Sequence, residues 1–204
     1  PMVAVGEKKY YFSAMFAALT AYTDANNADV PYESPSNKDL RITATVLKDG
    51  TTVALDQQQA NDVLNANGVI TAINANGFKS WGNNTAAYPS TTDPKDRWWA
   101  VRRFFDWDGN NFIQTYFQKV DKPGNKRLIQ SIVDSQNIIG NGYVARDYCA
   151  GYRVEFRSDE NPVTNLLAGH LTVHTYLAPY IPAENIENIR EYDVDALESA
   201  IGGE

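Results

Sequence analysis

The C-terminal end of the chain places the strongest constraint on its fold. Residues 171–177 alternate apolar and polar side chains, a pattern that predicts a β-strand with one buried face. Pro179 and Pro182 end this strand, because proline has no backbone N–H to donate. Residues 185–193 follow, and they are too polar to be buried. Since the sequence offers no later partner strand, we expect another copy of the protein to supply their hydrogen bonds.

We predict that residues 185–193 add a strand to a sheet in a neighbouring subunit. Strand addition draws its affinity from main-chain hydrogen bonds, so polar side chains are tolerated along the segment. Ile186 and Ile189 are its aliphatic anchors. The predicted inter-subunit residues are Asn185, Ile186, Glu187, Asn188, Ile189, Arg190, Glu191, Tyr192 and Asp193.

Composition limits the classes of protein to which the chain can belong. With 204 residues and 43% hydrophobic content, it can bury a substantial core. Its formal net charge of −7 argues against nucleic acid as the main partner, because nucleic-acid binders concentrate Lys and Arg on one face. The one cysteine, Cys149, cannot form an internal disulfide, which fits assembly in a reducing cytoplasm. Cys149 lies in an apolar run and is predicted to be a buried thiol.

The N-terminal region has two interpretations. Lys8 and Lys9 followed by an apolar run have the outline of a signal peptide. However, the run contains several polar residues and is shorter than the ~20 apolar residues that span a bilayer. Its large apolar residues recur at helical spacing, so we predict a helix packed on a core and no insertion into a membrane; these residues are Phe12, Met15, Phe16 and Leu19.

The first half of the chain alternates predicted strands and helices. Residues 40–47 and 69–73 have strand patterns, and Asp49-Gly50 marks a turn. Asp56 is placed to cap a helix that runs through Ala66. This alternation predicts an α/β layer, and the turn-rich residues 77–95 predict a domain boundary.

The second half is predicted to be mainly helical before it returns to strands. A helix opens at Asp96, and a second helix runs over residues 125–139 and stops at Gly140-Asn141-Gly142. Strands are predicted over residues 143–157 and 167–177. The apolar stripe expected on the first helix comprises Trp98, Trp99, Val101, Phe105, Phe112, Ile113, Tyr116, Phe117 and Val120.

Short motifs follow one another along most of the chain. They are residues 34–38 (SPSNK), 64–72 (LNANGVITA), 81–85 (WGNNT), 95–96 (KD) with 103–107 (RFFDW), 122–128 (KPGNKRL), and the C-terminal Asn161-Pro162, Pro182-Ala183-Glu184 and Glu191-Tyr192-Asp193. Their wording and order resemble contractile phage tail sheath proteins, and are also similar to the sheaths of R-type bacteriocins. Asn84 departs from the pattern, since many sheath proteins have arginine at this position. Any contact that this arginine makes in those proteins is therefore not expected in this chain.

The resemblance implies a fold class and a division of the chain. Residues 1–88 would be the C-terminal part of a subtilisin-like α/β core domain, and residues 89–204 an α/β sheath C-terminal domain. An extended arm would occupy about residues 184–204. The fold class is therefore expected to be α/β (α+β). Because most sheath proteins are longer, the chain is expected to be a C-terminal portion of a subunit without its N-terminal arm.

The function that the resemblance implies is structural. The subunit would polymerise as stacked hexameric rings around an inner tail tube, and contract to drive the tube through the host envelope. Expected partners are further copies, the tail tube protein, and baseplate and tail terminator proteins. The expected location is a virion tail assembled in the host cytoplasm.

The sequence predicts no catalytic residue, cofactor or metal site. It contains no phosphate-binding loop, nucleophile elbow or His-Glu-x-x-His motif. On the predicted strand, His170 and His174 would lie ~13 Å apart, too far to chelate one metal ion. The alternative function is an α/β hydrolase-like enzyme without a recognisable catalytic motif.

Two groups of cations stand out in a chain that is acidic overall. Arg97, Arg102 and Arg103 alternate with aspartates, which predicts local ion pairs on a helix. By family analogy, the second domain lies nearest the tube, so exposed cations there suggest contact with an acidic tube surface. We name the preferred set the basic cluster: Lys122, Lys126 and Arg127.

Overall fold

Small antiparallel sheets and two long helices make up residues 1–202, which a computed structural model describes. The first sheet has the order β2-β1-β3, and the other two are the pairs β4-β5 and β6-β7. Every pairing between these strands is antiparallel. The strands are β1 (Met2–Val5), β2 (Lys8–Tyr11), β3 (Ala44–Val46), β4 (Thr71–Asn74), β5 (Phe78–Trp81), β6 (Cys149–Glu155) and β7 (His174–Pro179).

The helices range from single turns to five turns. They are α1 (Phe12–Asn26), α2 (Gln57–Gln59), α3 (Pro94–Arg97), α4 (Trp99–Tyr116), α5 (Lys126–Ala145), α6 (Val163–Leu167) and α7 (Val194–Ile201). A π-helical turn (Ala60–Leu64) and a 3₁₀ turn (Asn65–Asn67) continue α2, and a 3₁₀ turn (Phe117–Lys119) continues α4. The fold therefore mixes helices and strands as an α+β protein. The expected α/β layer of alternating elements is not what forms, because the strands pair antiparallel within separate small sheets.

Helix α1 forms where the sequence predicts a core helix. Phe12 and Phe16 are buried, and they pack with Val3, Ile42 and Ala72 in the first hydrophobic cluster. The helix also buries two threonines, whose hydroxyls donate to carbonyls one turn earlier, so no donor is left unpaired. Within residues 1–202, no helix is both long enough and apolar enough to cross a membrane.

The predicted helix that begins at Asp56 exists, although its pitch varies along its length. The Asp56 carboxylate accepts from the Gln59 backbone N–H at 2.7 Å, and the Gln59 side chain accepts from the Asp56 N–H at 3.3 Å. The predicted Asp56 cap is confirmed, and the structure adds the reciprocal Gln59 bond that makes it a capping box. The run ends at Gly68, where φ is 69° and a Cβ would lie 2.4 Å from the Thr85 carbonyl oxygen. Only glycine fits that position.

A second hydrophobic cluster lies between α4, α5 and β6. Its buried members are Val30, Phe104, Tyr143, Cys149, Tyr152 and Val154. Cys149 is the buried thiol predicted from its apolar surroundings, and burial raises its pKa.

The predicted apolar stripe on α4 is only partly correct. Val101 and Tyr116 are buried as expected, but Ile113, Phe117 and Val120 are more than half exposed. The face that is buried instead carries Phe104 and Asp108. Packing against α5 and β6 determines which face of α4 is buried, and helical periodicity alone does not predict that face.

Helix α5 does not stop at Gly140-Asn141-Gly142, as the sequence suggested. It continues to Ala145, because Gly140 is buried where the Tyr152 ring crosses the helix. The predicted strand 143–157 therefore shortens to β6, and residues 143–145 are helical. The predicted strand 167–177 is also wrong in extent, since α6 ends at Leu167 and β7 begins only at His174. His170 precedes β7, so the two histidines do not share a strand.

Candidate functional site

Three motifs that are far apart in the sequence meet where β7 ends. They are residues 34–38, residues 81–85 and residues 181–185, and they line a cleft of about 890 Å³. We call it the arm cleft, because the C-terminal arm leaves the body of the protein along its rim. Aromatic and amide side chains also line it, among them Tyr32, Trp81 and Tyr88.

The turn at residues 34–38 is fastened to the end of β5 by backbone hydrogen bonds. Asn37 N–H donates to the Ser80 carbonyl at 2.7 Å, and Ser80 N–H donates to the Lys38 carbonyl at 3.0 Å. The Ser34 hydroxyl donates to Asn83 Oδ1 at 2.5 Å, and Gly82 N–H donates to Ser36 Oγ at 3.1 Å. These bonds join one wall of the arm cleft to the next motif.

The segment 83–85 is in turn fastened to the start of α4. Thr85 N–H donates to the Arg97 carbonyl, and Trp99 N–H donates to the Asn83 carbonyl, both at 2.7 Å. Trp98 is extended, at φ −87° and ψ 124°, and it forms an isolated bridge with Asn84. The helix expected to open at Asp96 is therefore divided into α3 and α4 at this bridge.

Asn84, the residue that departs from the sheath pattern, is held by hydrogen bonds on both sides of its amide. Its side chain is buried, and its amide nitrogen donates to the Asn65 carbonyl at 3.1 Å. Its amide oxygen accepts from Arg97 Nε at 3.0 Å. Asn84 thus orients an arginine that comes from the other side of the bridge.

Arg97 connects this scaffold to the arm. Its guanidinium carbon lies 4.5 Å from the centre of the Tyr88 ring and 4.2 Å from the centre of the Trp98 ring. Arg97 Nη2 lies 3.8 Å from Glu184 Oε2, while Asn83 Nδ2 donates to Glu184 Oε1 at 3.1 Å. Both carboxylate oxygens of Glu184 therefore face a donor on the body of the protein.

Beyond Glu184, the arm has no hydrogen bond or ion pair to residues 1–183 in the described part of the chain. Its contacts are internal, such as Asp193 Oδ1, which accepts from the Ala196 N–H at 2.8 Å and caps α7. Ile186 and Ile189 are each 85% exposed. Residues 185–193 have no regular secondary structure in the single chain. Their pairing with a neighbour stays a prediction, and arm residues 203–204 lie outside the described residues.

The two groups of cations differ in their surroundings. Arg102 pairs with Asp96 at 3.0 Å and with Asp106 at 2.8 Å, and Arg103 pairs with Asp24. The predicted local ion pairs are therefore confirmed for Arg102, whereas Arg103 and Arg97 pair with carboxylates that are distant in the sequence. The basic cluster is exposed: its first lysine lies in the loop before α5, and its other two members open that helix.

His174 and the polar residues of the loop between β6 and β7 are held by neighbours. His174 Nδ1 lies 2.7 Å from Glu160 Oε1, at the start of β7. Arg157 bonds Asp159 at 2.6 Å and lies 3.2 Å from Glu160. These groups form a surface network that fastens the loop between β6 and β7.

Comparison with known proteins finds curated relatives of this chain. No family model matches it. The tail sheath protein of Burkholderia phage BcepMu is 29% identical over 193 residues, which cover 94% of this chain and 40% of the relative. The tail sheath protein of Escherichia phage P2 is 31% identical over 61% of this chain and 31% of the relative. This chain is related to the tail sheath proteins of phages.

The fold of this sheath relative also has counterparts among solved structures. The sheath complex of an extracellular contractile injection system (PVC), solved in its contracted state, matches with a TM-score of 0.80 and 17% identity. The match covers 96% of this chain and 55% of that one, and at this identity it concerns the fold alone. The predicted resemblance to contractile sheath proteins is confirmed. The chain spans about a third to a half of the length of the curated relatives it matches.

Sequence reasoning missed the contact between Arg97 and Glu184. Arg97 was interpreted as one of three cations in a helical pattern, and Glu184 as part of a motif. One signal was available, because Glu184 lies between the prolines that end β7 and the polar segment 185–193, where an anchoring residue is needed.

Proposed function

We propose that this chain is part of a contractile tail sheath subunit, which polymerises as a helical array around an inner tube and contracts to drive that tube through a host envelope. Residues 185–202 carry the proposal, because they leave the body of the protein without a partner although their sequence suits strand addition. Sequence similarity to tail sheath proteins supports the proposal. The hydrolase alternative receives no support from these relatives.

The β6-β7 sheet is the receptor that fits the arm best. Within residues 1–202, these two strands form ladder pairs only with each other. On the outer edge of β6, Asn137 of α5 already accepts from the Val154 N–H at 2.8 Å and donates to the Val154 carbonyl at 2.9 Å, so the edge of β7 is the more open one. At six residues, β7 is long enough to pair with most of the nine-residue segment 185–193. An open edge presents unpaired N–H and C=O groups that a strand from a second copy can satisfy.

Deletion of residues 185–204 from the full-length subunit tests the proposal. The truncated subunit should fold and fail to form sheaths in negative-stain electron microscopy, because 1–183 makes no described hydrogen bond or ion pair to 185–202. A sharper pair is Ile189→Pro against Ile189→Ala. Proline removes a main-chain donor and should block polymerisation, whereas alanine keeps it. Normal polymers from the truncated subunit would refute the role of the arm.

The remaining expectations from the resemblance to sheath proteins are part of the same proposal. Residues 1–88 would be the end of a subtilisin-like core domain and residues 89–204 the C-terminal domain. The basic cluster would meet an acidic tube surface through exposed pairs worth ~0–1 kcal/mol each, weak enough to separate when the sheath contracts. The proposal also includes stacked hexameric rings, with baseplate and terminator proteins as further partners. Assembly would take place in the host cytoplasm, and the product would be part of a virion tail.

A further inference from the structure

Among the described residues 180–202, two side chains of the arm bond the body of the protein, and no described bond to the body follows the second. The Tyr180 hydroxyl donates to Asp147 Oδ1 at 2.7 Å, just after β7 ends. Glu184 then meets Asn83 at 3.1 Å and Arg97 at 3.8 Å. Residues 180–184 therefore form a strap along the rim of the arm cleft, and Glu184 is its last fixed point.

Arg97 is held in position independently of Glu184. Its Nε donates to the buried Asn84 at 3.0 Å, and its guanidinium lies against the Tyr88 and Trp98 rings. Most surface arginines lose side-chain freedom when they form an ion pair, and this loss cancels much of the attraction. Because Arg97 is already fixed by three neighbours, little further freedom is lost when it meets Glu184.

We propose that Arg97 is a positioning residue for the C-terminal arm: with Asn83 it holds Glu184, and thereby sets where and in which direction residues 185–202 leave the body. The role in assembly rests on the proposed function, whereas the contact itself does not. An arm that starts from a fixed point searches a smaller volume, so its effective concentration at one neighbouring sheet edge is higher.

The contact is also weak enough to open. Arg97 and Glu184 keep 26% and 36% of their side-chain surface exposed, and the charged atoms are 3.8 Å apart. Pairs of this kind change the ratio of bound to free states by about two- to five-fold. The arm can therefore swing about residue 184 when a neighbouring subunit moves, while its strand pairing is kept.

The first experiment measures arm mobility in the isolated chain. A fluorophore is attached to Ile186→Cys, which does not compete with Cys149 because that thiol is fully buried. Time-resolved anisotropy then compares Glu184→Gln with Glu187→Gln. Glutamine at 184 keeps an oxygen for Asn83 but loses the charge, and Glu187 is an exposed control on the same arm, bonded only to Asn185.

We expect Glu184→Gln to raise the free fraction of the arm about two- to five-fold, and Glu187→Gln to leave it unchanged. Raising salt from about 0.05 M to 0.5 M should loosen the wild-type arm and leave Glu184→Gln unaffected, since only the former has the ion pair to screen. Arg97→Lys should be intermediate, because it keeps the charge and loses the Nε bond. Equal mobility of the two glutamine variants, or a wild-type arm insensitive to salt, would overturn the proposal.

The second experiment separates this inference from the proposed function. Full-length subunits with Glu184→Gln should form sheaths several-fold more slowly than those with Glu187→Gln, at equal thermal stability. Equal assembly rates would overturn the positioning role. An arm that loosens in Glu184→Gln, combined with normal sheaths after deletion of residues 185–204, would support the contact and refute strand addition.

Discussion

Two glycines of α5 are predicted to respond in opposite ways to alanine. A Cβ on Gly140 would lie 1.9 Å from Cδ1 of Tyr152 and 2.3 Å from its Cγ, whereas a Cβ on Gly142 would meet nothing within 4 Å. Both residues are inside the helix. Alanine therefore improves helix propensity at each position but overlaps the tyrosine ring at only one of them.

The Tyr152 ring has little room to move away. Its hydroxyl donates to the Asp108 carboxylate at 3.0 Å, accepts from Gln136 Nε2 at 2.5 Å, and the ring meets Tyr143 edge-on at 5.8 Å. Overpacking of this kind costs ~1–3 kcal/mol. A displaced hydroxyl would in addition leave the buried Asp108 short of a hydrogen bond, at ~1–3 kcal/mol. The higher helix propensity of alanine offsets these losses by ~1 kcal/mol.

The net expectation for Gly140→Ala is a loss of ~1–5 kcal/mol, or a fall in Tm of roughly 2–20 °C for a chain of this size. Gly142→Ala should instead raise Tm by ~2–4 °C. Thermal unfolding followed by circular dichroism measures both. In a Tyr152→Ala background, Gly140→Ala should no longer destabilise, because the ring is gone. A Gly140→Ala variant that melts at or above the temperature of Gly142→Ala would contradict this expectation.

Three further outcomes are expected. Burial raises the pKa of Asp108 despite its bond to Tyr152, so the native state binds that proton more tightly than the unfolded state. This contribution to stability is complete below the unfolded-state pKa of ~3.9 and is lost as pH rises through the pKa of the folded state. The stability of Asp108→Asn relative to wild type, measured by urea titration, should therefore increase with pH. A difference that does not change with pH would contradict this expectation. Phe104→Ala should lower the free energy of unfolding by ~3–5 kcal/mol, because Phe104 is buried. Phe117 is 72% exposed, so Phe117→Ala should change that free energy by less than ~0.5 kcal/mol. Similar values for the two variants would mean that α4 buries the opposite face. Charge reversal of the basic cluster in the full-length subunit should weaken co-assembly on tubes most at low salt while permitting sheath-like polymers, and unchanged co-assembly there would exclude the contact.

Local signals in the sequence predicted local structure well. The Asp56 helix cap, the core helix α1 and the buried Cys149 all follow from residues within a few positions of one another. The faces and ends of α4 and α5 depend on distant residues instead. Gly140 is tolerated in mid-helix because Tyr152 fills the space above it, and a window along the helix does not contain that partner.

The candidate site shows the same division. Residues 185–193 have no regular secondary structure, whereas residues 194–201 of the expected extended arm form helix α7. The motifs at residues 34–38, 81–85 and 182–184 can each be recognised in the sequence. Their convergence on one cleft depends on contacts between residues far apart in the chain. Arg97 and Glu184 meet because Trp98 pairs with Asn84 and turns Arg97 toward the arm, and no periodicity encodes that bridge.

Helix α4 joins both hydrophobic clusters. Near its start, Trp99 lies 5.7 Å from Phe16 of the first cluster, and Phe104 lies 6.3 Å from Tyr143 of the second, measured between ring centres. The helix is unbroken over 18 residues, a rod of roughly 27 Å. A torque applied to one cluster is thus transmitted to the other with little bending, so the body of the protein behaves as one stiff part. Compliance is concentrated in the arm, where bending costs no packed contact.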